Sequence, residues 1–507
     1  MSASGEPARD PQSGGLTRRR LLAGGGSALG AAALATAGAP LGAVFAAARR
    51  PPAVNSYAAI AAAKPPLLHS RPDLRLPGLA VATSRDGTAP GLIFLGPFGP
   101  SGTQAGAVIA DESGQPVWDH PAPGLEIYNF GVQPYRGQQV LTWWEGKLAV
   151  GHGVGSYVIA NQSYEPIARV QPGNGLEADL HEFLLTTAGT ALVTSYVTAT
   201  ADLRSVGGSS DGGIEDAVFQ EIDLASGRVL LEWHSLDHIP ISESYWPITS
   251  NWDYAHVNSI DVDTDGQLLV SSRNTHTVYK VDRRSGEIIW RLGGKHNEFA
   301  LSYGASFAWQ HDARRQSDGT LTIFDNEGAP HAGPQSRAIV LAIDEQHKRA
   351  RLERQFLHPL ALQASSLGSV QVLPNGNVFV GWGAEPFVSE FSRSGELLFD
   401  ARLGSGYSGY RAFRFPWEAA GEGLPTIAAA RQGTHATNLW VSWNGDTQVR
   451  KWLVLGGAQT GALTPLGTYP RSGFETAIRI NGLPRRLAVR GLDANGHPLG
   501  TSATLEL

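Results

Sequence analysis

Short apolar stretches separated by two-residue turns run through the middle of the chain. Residues 256–290 show the unit most clearly: a strand, an Asp-Gly turn, two further strands, a Ser-Gly turn and a short strand that ends on Trp290. Asp-Gly and Asn-Gly favour two-residue hairpins, because both central residues of such a turn have positive φ. The pattern therefore predicts units of about four antiparallel strands.

The unit recurs along the chain. At 369–399 the turns are Asn375-Gly376 and Ser394-Gly395, and Phe399 closes the unit. Less regular copies lie at 311–356, 181–233 and 126–170, after a degenerate first copy that closes on Trp118. Four-stranded units repeated around an axis form a β-propeller. We expect six blades over residues 90–424, with five or seven as the alternative count; an array of separate sandwiches fits less well, because the linkers are short.

The flanks of the repeat differ from it. Past residue 425, apolar and polar residues alternate around new Asn-Gly turns, which predicts a small immunoglobulin-like or fibronectin III-like β-sandwich over 425–507. Residues 49–89 are Pro-rich and are expected to form an extended lead-in to the first blade. The predicted fold class is all-β throughout.

The N-terminus has the pattern of an export signal. Residues 17–22 read Thr-Arg-Arg-Arg-Leu-Leu, and an uncharged Gly/Ala-rich stretch follows to Ala48. Twin arginines before a weakly apolar core predict a twin-arginine signal over 1–48, with a membrane anchor as the alternative. The expected partner during export is the twin-arginine translocase, and the expected location is extracellular or in the cell envelope. Membrane contact is expected only if the signal stays uncleaved.

The composition of the chain excludes several kinds of site and partner. The 507 residues include no Cys, which excludes disulfides and thiolate sites. The net charge of the chain is −6. The first 50 residues carry about +4, so the other residues together carry about −10 and offer no basic face for nucleic acid. There is no phosphate-binding loop, and the Gly-rich stretch at 151–155 lacks a strand–helix context. We expect no cofactor and no nucleic-acid partner.

Three consecutive units open on a histidine. These residues are His181, His256 and His311, each 8 to 10 positions before a turn glycine. Propeller geometry predicts that they lie at one depth around one channel. Arg273 and Asn274 follow one hairpin after His256.

Three interpretations of these histidines stay open. They are structural, or they hold a divalent metal with Asp179, Glu182, Asp253 and Asp312 behind them, or they surround an anion that one of them attacks. The arginine favours the third interpretation, because a guanidinium forks onto sulfuryl or phosphoryl oxygens and repels a metal cation.

Further residues near these positions are candidates for substrate binding. Tyr254 and Trp309 adjoin two of the histidines and offer rings for an aromatic substrate, with ordinary core packing as the alternative. Asn258, Asn274 and Arg337 are the polar candidates.

Ordered motifs across residues 251–344 resemble the arylsulfotransferase family. The segments are DYAHVNSIDVD, LLVSSRN, GEIIWRLGG, QHDAR, FDN and SRAIVLAID. The likeness covers most of 70–420. It implies an exported six-bladed propeller enzyme that moves a sulfuryl group from a phenolic sulfate ester to a phenolic acceptor. The route implied is ping-pong through a sulfohistidine, without the nucleotide sulfate donor PAPS.

The resemblance also implies residue roles. His311 is the implied nucleophile, and His181, His256 and Arg273 are implied to stabilise the sulfuryl oxygens, with no metal. This chain departs from the family in two features. Gram-negative members carry a disulfide whereas this chain has no Cys, and the C-terminal sandwich is an addition in this chain. The alternative functions are a metal-dependent hydrolase or lyase that uses the same three histidines, and a non-catalytic propeller that binds partners at the cell surface.

Overall fold

A computed structural model describes residues 67–74, 78–99, 106–149, 151–327 and 334–507. The export signal expected over 1–48 and most of the expected lead-in lie outside these residues. The described chain is nearly all β, with one helical turn, α1 (Ser235–His238), and two 3-10 turns, Arg204–Val206 and Ile241–Glu243. No helix among the described residues has the length and apolar character needed to cross a membrane.

Six sheets lie between residues 79 and 415 of the described chain, and the four-stranded antiparallel unit expected from the turns recurs in each. Sheet I contains β2 (Leu92–Phe98), β3 (Gly106–Ala110), β4 (Pro116–Pro121) and β27 (Ser408–Phe415). Sheet II contains β5 (Glu126–Tyr135), β6 (Gln138–Ala149), β7 (His152–Ala160) and β8 (Pro166–Val170). Sheet III contains β9 (Phe183–Leu185), β10 (Thr190–Ala201), β11 (Gly212–Asp223), β12 (Val229–His234) and the short parallel strand β13 (Asn251–Trp252).

The next three sheets follow in chain order. Sheet IV contains β14 (Val257–Val262), β15 (Leu268–Ser272), β16 (Thr277–Val281) and β17 (Ile288–Gly293). Sheet V contains the short parallel strand β18 (Ala300–Leu301) with β19 (His311–Arg315), β20 (Leu321–Asp325), β21 (Arg337–Asp344) and β22 (Arg349–Leu357). Sheet VI contains β23 (Ser369–Val372), β24 (Val378–Gly381), β25 (Phe387–Phe391), β26 (Leu397–Leu403) and β1 (Leu79–Ser84).

Long-range pairing completes the first and last sheets. Strand β1 pairs with β26 at the edge of sheet VI, and β27 supplies the fourth strand of sheet I by pairing with β2. The sequence pattern instead gave 49–89 as a lead-in to the first unit and the first unit as degenerate. A local pattern cannot show either pairing, because the partners lie more than 300 residues apart. The sheets also meet through buried closing tryptophans: the Trp233 indole donates to Gly286 O in sheet IV, and the Trp290 indole donates to Glu345 in sheet V.

Residues 426–506 form two further sheets. Sheet VII contains β28 (Thr426–Gln432), β29 (Ala436–Ser442) and β32 (Glu475–Asn481). Sheet VIII contains β30 (Lys451–Gly457), β31 (Thr464–Pro470), β33 (Arg486–Leu492), β34 (Pro498–Thr501) and β35 (Leu505–Glu506). The two sheets share one apolar core that includes Leu439, Trp452 and Val489.

This C-terminal module is bonded to the lead-in and to the first two sheets of the preceding chain. Asn444 exchanges two hydrogen bonds with the backbone of Asp119, and the Tyr164 hydroxyl donates to Gly445 O at 2.7 Å. The described part of the lead-in also packs on the module, because the Ser70 amide and hydroxyl both donate to the Glu475 carboxylate. The module is therefore docked against the first two sheets.

One buried carboxylate, Glu182, links four sheets directly. Its Oε1 accepts from Arg411 Nη1 at 3.0 Å and from Asn129 Nδ2 at 3.3 Å, and its Oε2 accepts from Arg314 Nη2 and the Ile260 amide. These partners lie in sheets I, II, V and IV, whereas Glu182 immediately precedes sheet III. We call Glu182, Arg314, Arg411, Asn129 and Asp312 the central ionic cluster.

Asp312 extends this cluster to the last sheet. Its Oδ1 accepts from Arg314 Nε at 2.8 Å, and its Oδ2 accepts from the Val370 amide in sheet VI at 2.9 Å. Burial by itself raises the pKa of Glu182, but the charges of Arg314 and Arg411 outweigh it and lower the pKa to about 2. Glu182 therefore stays ionised over the physiological pH range, and the cluster bonds a strand of each of the six sheets or a residue next to one.

Glu182→Gln is expected to lower the free energy of unfolding by about 3–5 kcal/mol, because it leaves two buried guanidinium groups with only one of the two carboxylates that they share. The measurement is urea unfolding at pH 7. The contribution of wild-type Glu182 is present above its ordinary pKa and is lost as pH falls toward 2, so the gap between the proteins should shrink in acid. Glu298→Gln, on the surface, is the matched control and should change stability by less than about 1 kcal/mol. Equal stability of the two variants contradicts the role of the cluster.

Candidate active site

The three histidines expected to share one channel lie at the N-terminal ends of β9, β14 and β19. His311 is the first residue of β19, His256 precedes β14, and His181 lies two residues before β9. The His181 and His256 ring centroids are 4.7 Å apart, and His181 and His311 are both buried. His256 has a φ of 55°, which is uncommon for a residue with a side chain and concentrates at functional sites.

Two of these histidines are backed by carboxylates. Nδ1 of His181 lies 2.7 Å from Asp179 Oδ2, and Nδ1 of His256 lies 2.5 Å from Asp253 Oδ2. A carboxylate accepts, so each Nδ1 carries a proton and each Nε2 is the free ring nitrogen. The same partners stabilise the imidazolium form when Nε2 gains a proton.

His311 has neutral partners instead. Its Nδ1 lies 2.8 Å from Asn326 Oδ1 and 3.1 Å from Trp309 O, and the Leu367 amide donates to its Nε2 at 3.2 Å. The Asn326 amide group donates to Ala364 O and Leu367 O, so the side-chain oxygen of Asn326 is the atom that faces His311. Nδ1 therefore carries the proton, and Nε2 has the lone pair.

Arg273 lies beside the histidines and is held on three sides. It donates to Asn274 Oδ1 at 2.8 Å and to Ser365 O at 3.1 Å, and its guanidinium carbon lies 4.9 Å from the Trp309 ring centroid. Burial lowers the pKa of Arg273 to about 10, so the group remains charged at neutral pH. The stacking fixes the plane of the guanidinium.

His152 is a fourth histidine of the site that the sequence pattern did not indicate. It begins β7, stacks on Tyr196 at 3.7 Å, and lies 5.6 Å from the His256 ring and 6.1 Å from the His181 ring. Burial lowers the pKa of His152 to about 4. The residue lies in the Gly-rich stretch at 151–155 of a divergent unit, and it does not open an inner strand as the other three do.

Buried polar atoms without a hydrogen-bond partner are unusually frequent here. Within the described residues, six such atoms belong to the histidine set and its neighbours: His152 Nδ1, Asp253 Oδ1, Asn258 Oδ1, Arg273 Nε, His276 Nε2 and Gln310 Oε1. Most buried polar groups in proteins are satisfied, so an unsatisfied group calls for an explanation such as a ligand or water. Donors and acceptors that converge in one place are typical of a binding site.

The structure brings some of the substrate-binding candidates to the histidines and not others. Asn258 donates to Gln310 O at 2.7 Å, and Asn274 donates to Asp253 O, so both lie among the site residues with Trp309. Tyr254 packs in an apolar core, and its hydroxyl donates to Ile239 O. Arg337 donates to Asp325 and to Ser306 O, so its charge is already paired.

An aromatic wall adjoins Arg273. Trp309 makes edge contacts with His276 at 4.2 Å and with Trp246 at 5.7 Å, and Tyr245 stacks on His276 at 4.1 Å. Tyr245 and Trp246 lie between α1 and β13, in a segment that the sequence pattern did not single out. We define Tyr245, Trp246, His276 and Trp309 as the aromatic wall.

Two solved structures show distant similarity to the chain. A protein of unknown function from Bacteroides caccae has a TM-score of 0.40 at 13% identity, covering 64% of this chain and 99% of that one. A catalytically inactive virginiamycin B lyase from Staphylococcus aureus has a TM-score of 0.34 at 10% identity, covering 73% and 96%. Similarities at this level bear on neither the site nor the reaction.

Comparison at the family level is more informative. No curated protein matches the chain significantly. The arylsulfotransferase (ASST) family model matches residues 131–404, which is more than half of the 507 residues and contains all four histidines and Arg273. The chain belongs to the arylsulfotransferase family.

Proposed function

We propose that the protein transfers a sulfuryl group from a phenolic sulfate ester to a phenolic acceptor, without a nucleotide donor, through a covalent intermediate on His311. The observation that carries the proposal is the convergence of Arg273 and the imidazoles with unpartnered polar atoms in one buried place. Membership of the arylsulfotransferase family supports the same class of reaction.

The electrostatics of the site favour an anionic group. Burial lowers the pKa of His256 and of His311 well below the ordinary value, and the Arg273 charge lowers both further. Both imidazoles are therefore neutral in the absence of an anion, and Arg273 is a fixed positive charge beside them. A sulfate monoester supplies the negative charge, and its three terminal oxygens suit a guanidinium and several N–H donors.

The hydrogen bonds of His311 suit a nucleophile. A neutral amide behind Nδ1 fixes the tautomer and leaves the ring neutral, so that Nε2 keeps its lone pair. In the first half-reaction Nε2 forms a bond to sulfur, the bond from sulfur to the phenolic oxygen breaks, and the electron pair leaves on the phenolate oxygen, which takes a proton from a neighbouring imidazolium. The weak contact from the Leu367 amide must be given up for this step.

His181 and His256, whose partners are carboxylates, suit the role of hydrogen-bond donors to the transferred group. Burial lowers the pKa of His256, but the negative charge of a bound sulfate ester and the carboxylates behind Nδ1 both favour a proton on Nε2 of these two rings. As donors they, with Arg273, neutralise charge on the equatorial oxygens of a loose transition state. In the second half-reaction an acceptor phenol oxygen bonds to sulfur, the N–S bond breaks, its electron pair returns to His311, and the phenol proton passes to a neighbouring imidazole.

We further propose that the six sheets are the blades of a six-bladed β-propeller. Contacts between single strands of different sheets support this proposal. β27 packs on β5, β5 on β9, β14 on β19, β19 on β23, and β23 on β27. The two sheets of the C-terminal module fit an immunoglobulin-like or fibronectin III-like sandwich. Twin-arginine export to the cell envelope or beyond is proposed from residues 17–22.

Incubation with 4-nitrophenyl sulfate alone should add one sulfuryl group to the protein, because the first half-reaction needs no acceptor. Intact-mass analysis followed by peptide mapping at neutral or alkaline pH should place an acid-labile group on the peptide that contains His311. Addition of a phenol should then remove the group and speed nitrophenol release.

His311→Asn is the variant for this experiment. It should take up no sulfuryl group and should lose about 10³-fold or more in transfer rate. His347→Asn, on the exposed part of the chain, is the matched control and should behave as wild type. Modification at another histidine, or an active His311→Asn protein, contradicts the assignment of the nucleophile.

Arg273→Lys should lower kcat/KM for the aryl sulfate by about 10²-fold, because a lysine keeps the charge but cannot fork onto two oxygens or stack on Trp309. Steady-state kinetics with 4-nitrophenyl sulfate measures the change. Arg393→Lys, on the surface turn of sheet VI, serves as control. A variant with unchanged kcat/KM would show that the guanidinium does not contact the transferred group.

Asn326→Asp should raise the pKa of His311, because a carboxylate behind Nδ1 stabilises the imidazolium whereas the wild-type amide does not. NMR titration with labelled histidine is the measurement. In wild type, His311 should stay neutral and of the Nδ1–H tautomer down to pH 6. A His311 that titrates near its ordinary pKa in wild type contradicts this description of the site.

A further inference from the structure

Imidazoles and carboxylates other than His311 form a compact ligand set. His152, Asp253 and His256 each offer one ligand atom, and these atoms lie within 4.8 Å of one another; the same holds for His152, Asp179 and His181. His152 is common to both groups. We propose that the imidazoles of His152, His181 and His256, whose ring centroids lie 4.7 to 6.1 Å apart, bind a transition-metal dication of the Zn²⁺ type with water in the fourth position, and that Asp179 and Asp253 hold two of these rings in place.

The donor atoms are those that Zn²⁺ prefers. Imidazole nitrogen and carboxylate oxygen bind Zn²⁺ at about 2.0–2.2 Å, and tetrahedral donors around such an ion lie about 3.4 Å apart.

Two unpartnered atoms point to an occupant on this side of the site. Nδ1 of His152 and Oδ1 of Asp253 are both buried and lack a hydrogen-bond partner in the described chain. One is an imidazole nitrogen and the other a carboxylate oxygen, and each belongs to a group that offers a ligand atom. Nε2 of His152 lies 3.5 Å from Asp253 Oδ2, so Nε2 is the His152 ring nitrogen that faces the carboxylate.

The hydrogen bonds around the set are those of a metal site. Metal-binding imidazoles usually donate their other ring nitrogen to a carboxylate, which fixes the ring and strengthens the donor. His181 and His256 donate in this way to Asp179 and Asp253. The Gly153 amide, next to His152, also donates to Asp179 Oδ1 at 2.8 Å, so the loop that carries His152 is held against the same carboxylate.

His311 stands apart from this set. Both of its ring nitrogens are engaged by amide or backbone groups, and it belongs to neither group of ligand atoms. The metal set therefore differs from the three histidines at 181, 256 and 311 that the sequence alone brought together. Arg273 opposes a cation with one positive charge, but Asp179 and Asp253 supply two carboxylates.

The site shares His181 and His256 with the proposed sulfuryl site, so the two occupants exclude each other. Metal binding does not depend on the proposed function, but its consequence does: Zn²⁺ should inhibit transfer by competing with the aryl sulfate. Metal-free protein should be the active form.

The test is isothermal titration of EDTA-treated protein, prepared without a polyhistidine tag, with ZnCl₂, together with the visible absorption of bound Co²⁺. Wild type should bind one ion and give the strong Co²⁺ absorption of a tetrahedral site. His152→Gln should weaken Zn²⁺ binding by about 10–100-fold or more, and Asp253→Asn should weaken it as a second variant. His311→Asn is the matched control and should bind Zn²⁺ as wild type does.

Thermal melting first establishes that each variant is folded. The proposal is overturned if wild type binds no Zn²⁺ at 0.1 mM (about the upper limit for a built site of this kind), if His152→Gln binds as wild type does, or if folded His311→Asn loses binding to the same extent.

An assay of transfer separates the two proposals. Zn²⁺ should raise the apparent KM for 4-nitrophenyl sulfate, and EDTA should reverse the effect. A protein that binds Zn²⁺ through His152 but transfers no sulfuryl group when metal-free supports the metal site and contradicts the proposed function.

Discussion

The ion pairs of Glu182 are the interaction on which both the six sheets and the histidine site depend. A carboxylate buried between the sheets is costly to desolvate, and two guanidinium groups and a backbone amide offset the cost. Its neighbours in the chain carry the chemistry: His181 precedes Glu182, and Asp312, which accepts from Arg314, follows His311. The charges that join the sheets therefore also fix the depth at which the imidazoles lie.

The four histidines differ in the hydrogen-bond partner of Nδ1, and this partner determines the chemistry to which each is suited. A carboxylate partner favours the imidazolium and suits proton donation or metal binding, which His181 and His256 share. An amide partner keeps His311 neutral with its lone pair on Nε2. His152 lacks a partner on Nδ1 and shares its environment with Asp253. These neighbouring residues thus combine groups suited to an anion, Arg273 among them, with groups suited to a cation.

Much of the fold was visible in the sequence because its turns are local. Asp-Gly, Asn-Gly and Ser-Gly pairs with closing aromatics predicted the repeating antiparallel strands, and the change of pattern past 425 marked the C-terminal module. The pairing of β1 with β26 and of β27 with β2 could not be predicted in this way, because it joins segments more than 300 residues apart. The docking of Ser70 on Glu475 was hidden for the same reason.

The sequence by itself determined which residue types open three successive units, and the motif order around His181, His256, Arg273 and His311 indicated the family. Only the tertiary structure decided which side chains meet. His152 comes from a third strand of its sheet and reaches the site through its stacking on Tyr196. Tyr254 lies two positions from His256, and Arg337 begins the strand that follows Asn326, but Tyr254 packs in a core and Arg337 pairs with Asp325. Proximity in sequence does not set the direction of a side chain; packing and charge pairing across sheets do.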